Sequence, residues 1–198
     1  MPLPVDALRA PRYHSSMRSS DSDIIFVPGL GGAGPDHWQS RWAARLSTAR
    51  RVEQEVWDEP HPEAWAGKLV EAVAASTRPA LIVAHGLGVL TTIVAAPAFR
   101  RDVVRGAFLV APPDVERPDM RVHRHAFSPV SREPLPFPSL LVASRTDPLC
   151  SYERAEDFAY SWGSALVDAG ESGHLNDESG HGPWPEGLMR LAGFMKDL

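Results

Sequence analysis

The chain has 198 residues, a hydrophobic fraction of 43%, a charged fraction of 23% and a formal net charge of -5. That length suits one domain with a full core, and an acidic balance with no dense Lys/Arg block argues against a nucleic-acid partner. A single cysteine, Cys150, excludes an intrachain disulfide framework and fits a reducing compartment.

Residues 1–21 carry Arg9, Arg12 and Arg18 among serines and prolines. They lack the apolar run of a secretory signal and read as a disordered tail, with Met17 a candidate for the true start. The longest apolar stretches, Ala80–Ala84 and Leu87–Ala98, fall short of the ~20 residues that span a bilayer. The expected location is therefore cytoplasmic, with no membrane partner and one domain over 22–198.

From there the chain alternates. Asp23–Val27 is an apolar, β-branched run closed by Pro28-Gly29, the pattern of a buried strand. His37–Ser47 sets Trp38, Trp42 and Leu46 at helical spacing, and Arg51–Val56 alternates weakly as a second strand. Pro62–Ser76 places Trp65, Leu69 and Val73 on one helical face. Ala80–Ala84 is a third strand, and Leu87–Phe99 reads as a helix. Gly106–Val110, Ser139–Ala143 and Ala165–Val167 supply three more strands, with helices over Tyr152–Trp162 and Pro185–Lys196. Short apolar strands separated by helices specify an α/β fold: about six mostly parallel strands with helices on both faces. The Pro-rich stretch Pro112–Pro138 has no periodicity and is a candidate rim for a site.

Ligands of such a sheet bind beyond the carboxyl ends of its strands. After the third strand stands Ala84-His85-Gly86-Leu87-Gly88, directly before a helix. A Gly-x-Gly there is, on its own, more often a tight turn, and it lacks the third glycine of a dinucleotide loop. It also matches the strand-to-helix elbow Gly-x-Ser-x-Gly of hydrolases, with small flanking residues at 84 and 88 and the central serine absent. Asp147 follows the fifth strand within Ser144-Arg145-Thr146-Asp147-Pro148. His174 follows the sixth within Gly170-Glu171-Ser172-Gly173-His174-Leu175-Asn176. Elbow, acid, then His is the chain order of α/β-hydrolases. An Asp at a strand end is usually a cap, and a His in a Gly-rich loop is usually solvated; both at the expected strand ends favour a catalytic reading.

Several blocks extend the pattern: Val27-Pro28-Gly29-Leu30, Gly34-Pro35-Asp36-His37-Trp38-Gln39, Val83–Gly88, Leu109–Val115, Pro136–Ser139 and Gly173–Asn176. Through them the chain resembles, from Ile24 to Phe194, the small serine hydrolases of the retinoblastoma-binding-protein-9 and YdeN type. The resemblance implies a three-layer α/β-hydrolase sandwich, with Asp147 the acid, His174 the general base and Gly86 at the nucleophile position. It implies backbone donors at Leu30 and Leu87 for an oxyanion, with His85, Gly29, His37 and Trp38 as pocket candidates. No cofactor or metal is implied, and the expected partner of a monomer is a small acyl substrate or ligand.

Glycine has no atom beyond Cα, so an acyl-enzyme cannot form at residue 86, and loss of a triad member leaves roughly 10³–10⁴-fold catalysis over water. Among substitutes, Thr91 and Thr92 lie inside the following helix and read as packing residues, and Cys150 reads as buried. His123 and His125 alternate in the long loop, too few for a metal site. Three readings stay open: a hydrolase studied without its nucleophile, a binder without turnover, or a His174–Asp147 pair that activates water.

Overall fold

The computed structural model describes residues 17–100, 102–120 and 126–198. Its strands are β1 (Asp23–Val27), β2 (Ala49–Arg51), β3 (Ala80–His85), β4 (Val104–Val110), β5 (Ser139–Ala143) and β6 (Ala165–Asp168). They form one sheet in the order β2-β1-β3-β4-β5-β6, and every neighbouring pair is parallel. The helices are α1 (Trp38–Ala43), α2 (Pro62–Ala74), α3 (Leu87–Ala95), α4 (Tyr152–Trp162) and α5 (Pro185–Asp197).

The central strands β1, β3 and β4 are largely apolar because both faces of the sheet are covered. On β1, Ile25 and Val27 join a cluster with Leu69, Val73, Leu90 and Phe158 of α2, α3 and α4. Ile24 and Phe26 face the other way, onto Trp38, Trp42, Leu191 and Met195 of α1 and α5. This is the three-layer sandwich expected from the sequence. Each fully buried Ile, Leu or Phe in it contributes roughly 1.5–3 kcal/mol of transfer free energy.

Four expectations need correction. The second strand is Ala49–Arg51, not Arg51–Val56: pairing with β1 (Ile24↔Ala49, Phe26↔Arg51) fixes it, and an edge strand needs little hydrophobic pattern. The helix expected over His37–Ser47 ends at Ala43. The helix expected to Phe99 ends at Ala95, because Pro97 has no N–H to continue it, and a 3₁₀ turn follows over Ala96–Ala98. The last residues of the expected tail belong to the fold. Met17 donates its backbone N–H to the Met195 carbonyl (3.0 Å), and Thr48 donates its hydroxyl to the Ser19 carbonyl (2.7 Å). The remainder of that tail, 1–16, and His123 and His125 lie outside the described residues.

The stretch after β4 is mainly a cover for α4. Phe127, Val130 and Phe137 are buried in the core. Glu116 accepts from the Val130 N–H (2.9 Å) and from Arg132 (2.9 Å), and also pairs with Arg154 of α4. Both guanidiniums lie on the Phe158 ring, at 4.6 and 4.9 Å from its centroid. Among the described residues of the expected rim, only Pro113 lines the cavity described next.

Candidate active site

The sheet order reverses between β1 and β3, which opens a crevice at their carboxyl ends. Gly86 sits there, alone between β3 and α3, at φ 56° and ψ -127°. L side chains adopt that region only under strain, so the turn suits glycine. Gly88 is required for a different reason. A Cβ on it would fall inside the Val27 carbonyl oxygen, so α3 rests directly on the end of β1.

A Cβ placed on Gly86 would stand 3.4 Å from His174 Nε2. His174 Nδ1 lies 3.0 and 2.9 Å from the two carboxylate oxygens of Asp147, whose side chain is 3% exposed. A carboxylate only accepts, so Nδ1 carries a hydrogen, and in the neutral ring Nε2 is then the acceptor on the side of residue 86. Asp147 also accepts from the Leu149 N–H at 2.9 Å. Its loop is laced to the His174 loop: Arg145 N–H donates to the Gly170 carbonyl (2.8 Å), and Gly173 N–H donates to Thr146 Oγ1 (3.1 Å). Residues 27 positions apart in sequence are thereby fixed against one another.

The end of β3 and the first turn of α1 brace this pair. His85 Nε2 donates to the His174 carbonyl at 2.8 Å, and Trp38 Nε1 donates to the next carbonyl, Leu175, at 2.9 Å. Trp38 is fully buried against Trp42 and Trp184, so it is a support and not part of the pocket lining as expected. His37 caps α1, its Nδ1 accepting from the Gln39 N–H at 3.2 Å. Burial lowers the His37 pKa to about 4. Burial, with His174 and His37 beside it, also lowers that of His85, so both rings are neutral at pH 7. Gln39 was not singled out from the sequence. Its Nε2 donates to the carbonyls of Val27 (3.3 Å) and Val83 (3.0 Å), pinning β1 to β3 beside the elbow. A polar residue directly after a core tryptophan was the available signal.

These groups surround a cavity of about 440 Å³. Gly29, Leu30, His37, Gln39, His85, Gly86, Leu87 and His174 all line it, so every expected site residue except Trp38 and the buried Asp147 reaches the space. Among the described residues, the Leu30 and Leu87 N–H groups have no hydrogen-bond acceptor. Among the described residues the lining holds no Lys or Arg, while Asp177 and Glu178, also missed from the sequence, belong to it.

The substitute nucleophiles are occupied elsewhere. Thr91 and Thr92 donate to the Leu87 and Gly88 carbonyls one turn back, at 3.0 and 2.8 Å. Burial, with Asp147 and Asp114 nearby, pushes the Cys150 thiol up to about 12, so it stays protonated. Among the described residues no group of three His, Cys, Asp or Glu could hold a metal ion, and no helix is long and apolar enough to cross a membrane.

A family model described as serine hydrolase matches residues 24–193. The chain belongs to the serine hydrolase family. Within it the likeness is to the YdeN type. A YdeN-like hydrolase from Pectobacterium atrosepticum is 34% identical, with a TM-score of 0.79 over 89% of this chain and 92% of that one. The ydeN product of Bacillus subtilis is 17% identical, with a TM-score of 0.73 over 88% and 98%. The α/β-hydrolase fold is also shared by the RedJ thioesterase of Streptomyces coelicolor, 15% identical, with a TM-score of 0.60 over 100% and 97%. No curated protein sequence matches.

Proposed function

We propose that this member of the family is built to bind a small acyl ester, thioester or amide at the Gly86 cavity, and that its acyl-enzyme turnover is silenced by the missing hydroxyl. One observation carries the reading: a Cβ at residue 86 would lie 3.4 Å from His174 Nε2. A hydroxyl one bond further out comes within hydrogen-bond reach of that nitrogen.

In the intact arrangement, a serine oxygen attacks the acyl carbon while His174 takes its proton and Asp147 holds the ring. The oxygen of the tetrahedral intermediate falls to the Leu30 and Leu87 N–H groups. These donors are backbone atoms and do not depend on the side chain at 86. Binding therefore outlasts catalysis: the chain as it stands is a receptor for acyl compounds, in the sense of a pseudo-hydrolase. The proposed partner is a small molecule bound by a monomer.

The test is hydrolysis of p-nitrophenyl acetate and butyrate by this protein beside its Gly86→Ser variant. The variant is expected to gain at least about 100-fold in kcat/KM, a floor well below the roughly 10⁶-fold that loss of a serine nucleophile costs an intact triad. Equal rates in the two proteins would count against the reading.

A further inference from the structure

Resting on that reading of the site, we propose a second, weaker activity in the unaltered chain: direct hydrolysis of activated esters by a water molecule that His174 deprotonates. The observation is again geometric. The place a side chain would take at residue 86 is 3.4 Å from Nε2, a nitrogen oriented by two contacts to Asp147. Gly86 puts nothing there. A water oxygen centred a few tenths of an ångström closer to the ring sits at hydrogen-bond distance from the base, within the cavity that also holds the Leu30 and Leu87 donors.

The step balances without any co-reactant. The water oxygen forms a bond to the acyl carbon and its proton passes to His174 Nε2. The carbonyl π pair moves onto the carbonyl oxygen, which the two backbone N–H groups receive. Collapse re-forms the carbonyl and breaks the bond to the leaving oxygen, which departs as phenolate or takes the proton from Nε2. The products are a carboxylic acid and an alcohol, and no bond to the protein is formed. The base is therefore a catalytic residue in its own right, and glycine at 86 makes the room for this step.

Two variants separate this from simple polarisation by the backbone donors. His174→Ala removes the base. Gly86→Ala sets a methyl group 3.4 Å from Nε2 and displaces the water, at the cost of a strained φ at 86, while both partners of the His174–Asp147 pair are kept. The protein is first treated with a fluorophosphonate, which silences any contaminating serine hydrolase, and p-nitrophenyl acetate hydrolysis is then followed. Hydrolysis above buffer is expected to persist, and to fall at least tenfold in each variant, since a general base supplies about 10²–10⁴-fold. Thermal melts verify that the variants fold. Should either fail to fold, the unaltered protein is measured in heavy water, where a proton in flight predicts a slower rate. No hydrolysis above buffer, rates unchanged in the folded variants, or no heavy-water effect would each overturn the proposal. A Gly86→Ser variant that turns over beside an inert parent would sink the water step alone and leave the serine-hydrolase reading standing.

Discussion

His37 and His85 are buried neutral beneath the His174 loop, and that makes stability depend on pH. The His37 pKa falls from 6.5 to about 4 on folding. Above pH 6.5 neither the folded nor the unfolded ring is protonated, so the full stability is present. As pH falls from 6.5 toward 4, the unfolded chain takes up a proton that the folded chain refuses, at about 1.4 kcal/mol per pH unit for each such group. His85 acts in the same direction. Thermal melts should therefore show Tm dropping steadily over this window. A His37→Asn variant keeps a cap acceptor for the Gln39 N–H and removes the titration, so its Tm should fall less between pH 7 and pH 5. An equally steep fall would contradict the assignment. Gly88 gives a second test. Because α3 lies directly on the Val27 carbonyl, Gly88→Ala should cost about 2–3 kcal/mol or more in urea unfolding. A cost under about 0.5 kcal/mol would mean the helix can lift off the strand freely.

At the scale of elements, what could be read from the sequence followed from how strongly each segment is determined locally. β1, β5 and α4 were legible to their ends. The first two are apolar runs, each opened by one polar residue (Asp23, Ser139), and α4 is capped by Ser151, whose hydroxyl accepts from the Arg154 N–H at 3.2 Å. β2 was misplaced because three edge residues, two of them arginines, owe their strand to the neighbouring β1. The role of the long loop after β4 was illegible for the same reason: Glu116 finds Arg154 across 38 residues. That tie predicts a local effect. Glu116→Ala leaves two guanidiniums on one Phe158 ring without their carboxylate and frees the Val130 N–H. It should lower stability by about 1–2 kcal/mol and speed proteolysis within 126–138. Glu116→Gln, which keeps an acceptor for Val130, should lie between. Unchanged cleavage in both variants would show that the buried Phe127, Val130 and Phe137 suffice to hold the loop.

Across the whole molecule, the sheet order places the elbow at the crevice between β1 and β3, with the Asp147 and His174 loops converging on it from β5 and β6. The positions of Gly86, Asp147 and His174 were legible because parallel strands deliver their trailing loops to one edge. The bracing by Trp38 and Gln39 was not, because a buried tryptophan and a glutamine amide declare their partners only once carbonyls 137 and 44 residues away are brought beside them. The outcome is a serine-hydrolase-family frame in which His174, paired with Asp147, stands against a glycine in a cavity that Leu30 and Leu87 also line. The most direct measurement is intact and peptide mass after fluorophosphonate treatment of the unaltered protein and its Gly86→Ser variant. The account predicts a single adduct at position 86 of the variant and none on the parent. An unlabelled, folded variant, or an adduct on the parent, would contradict it.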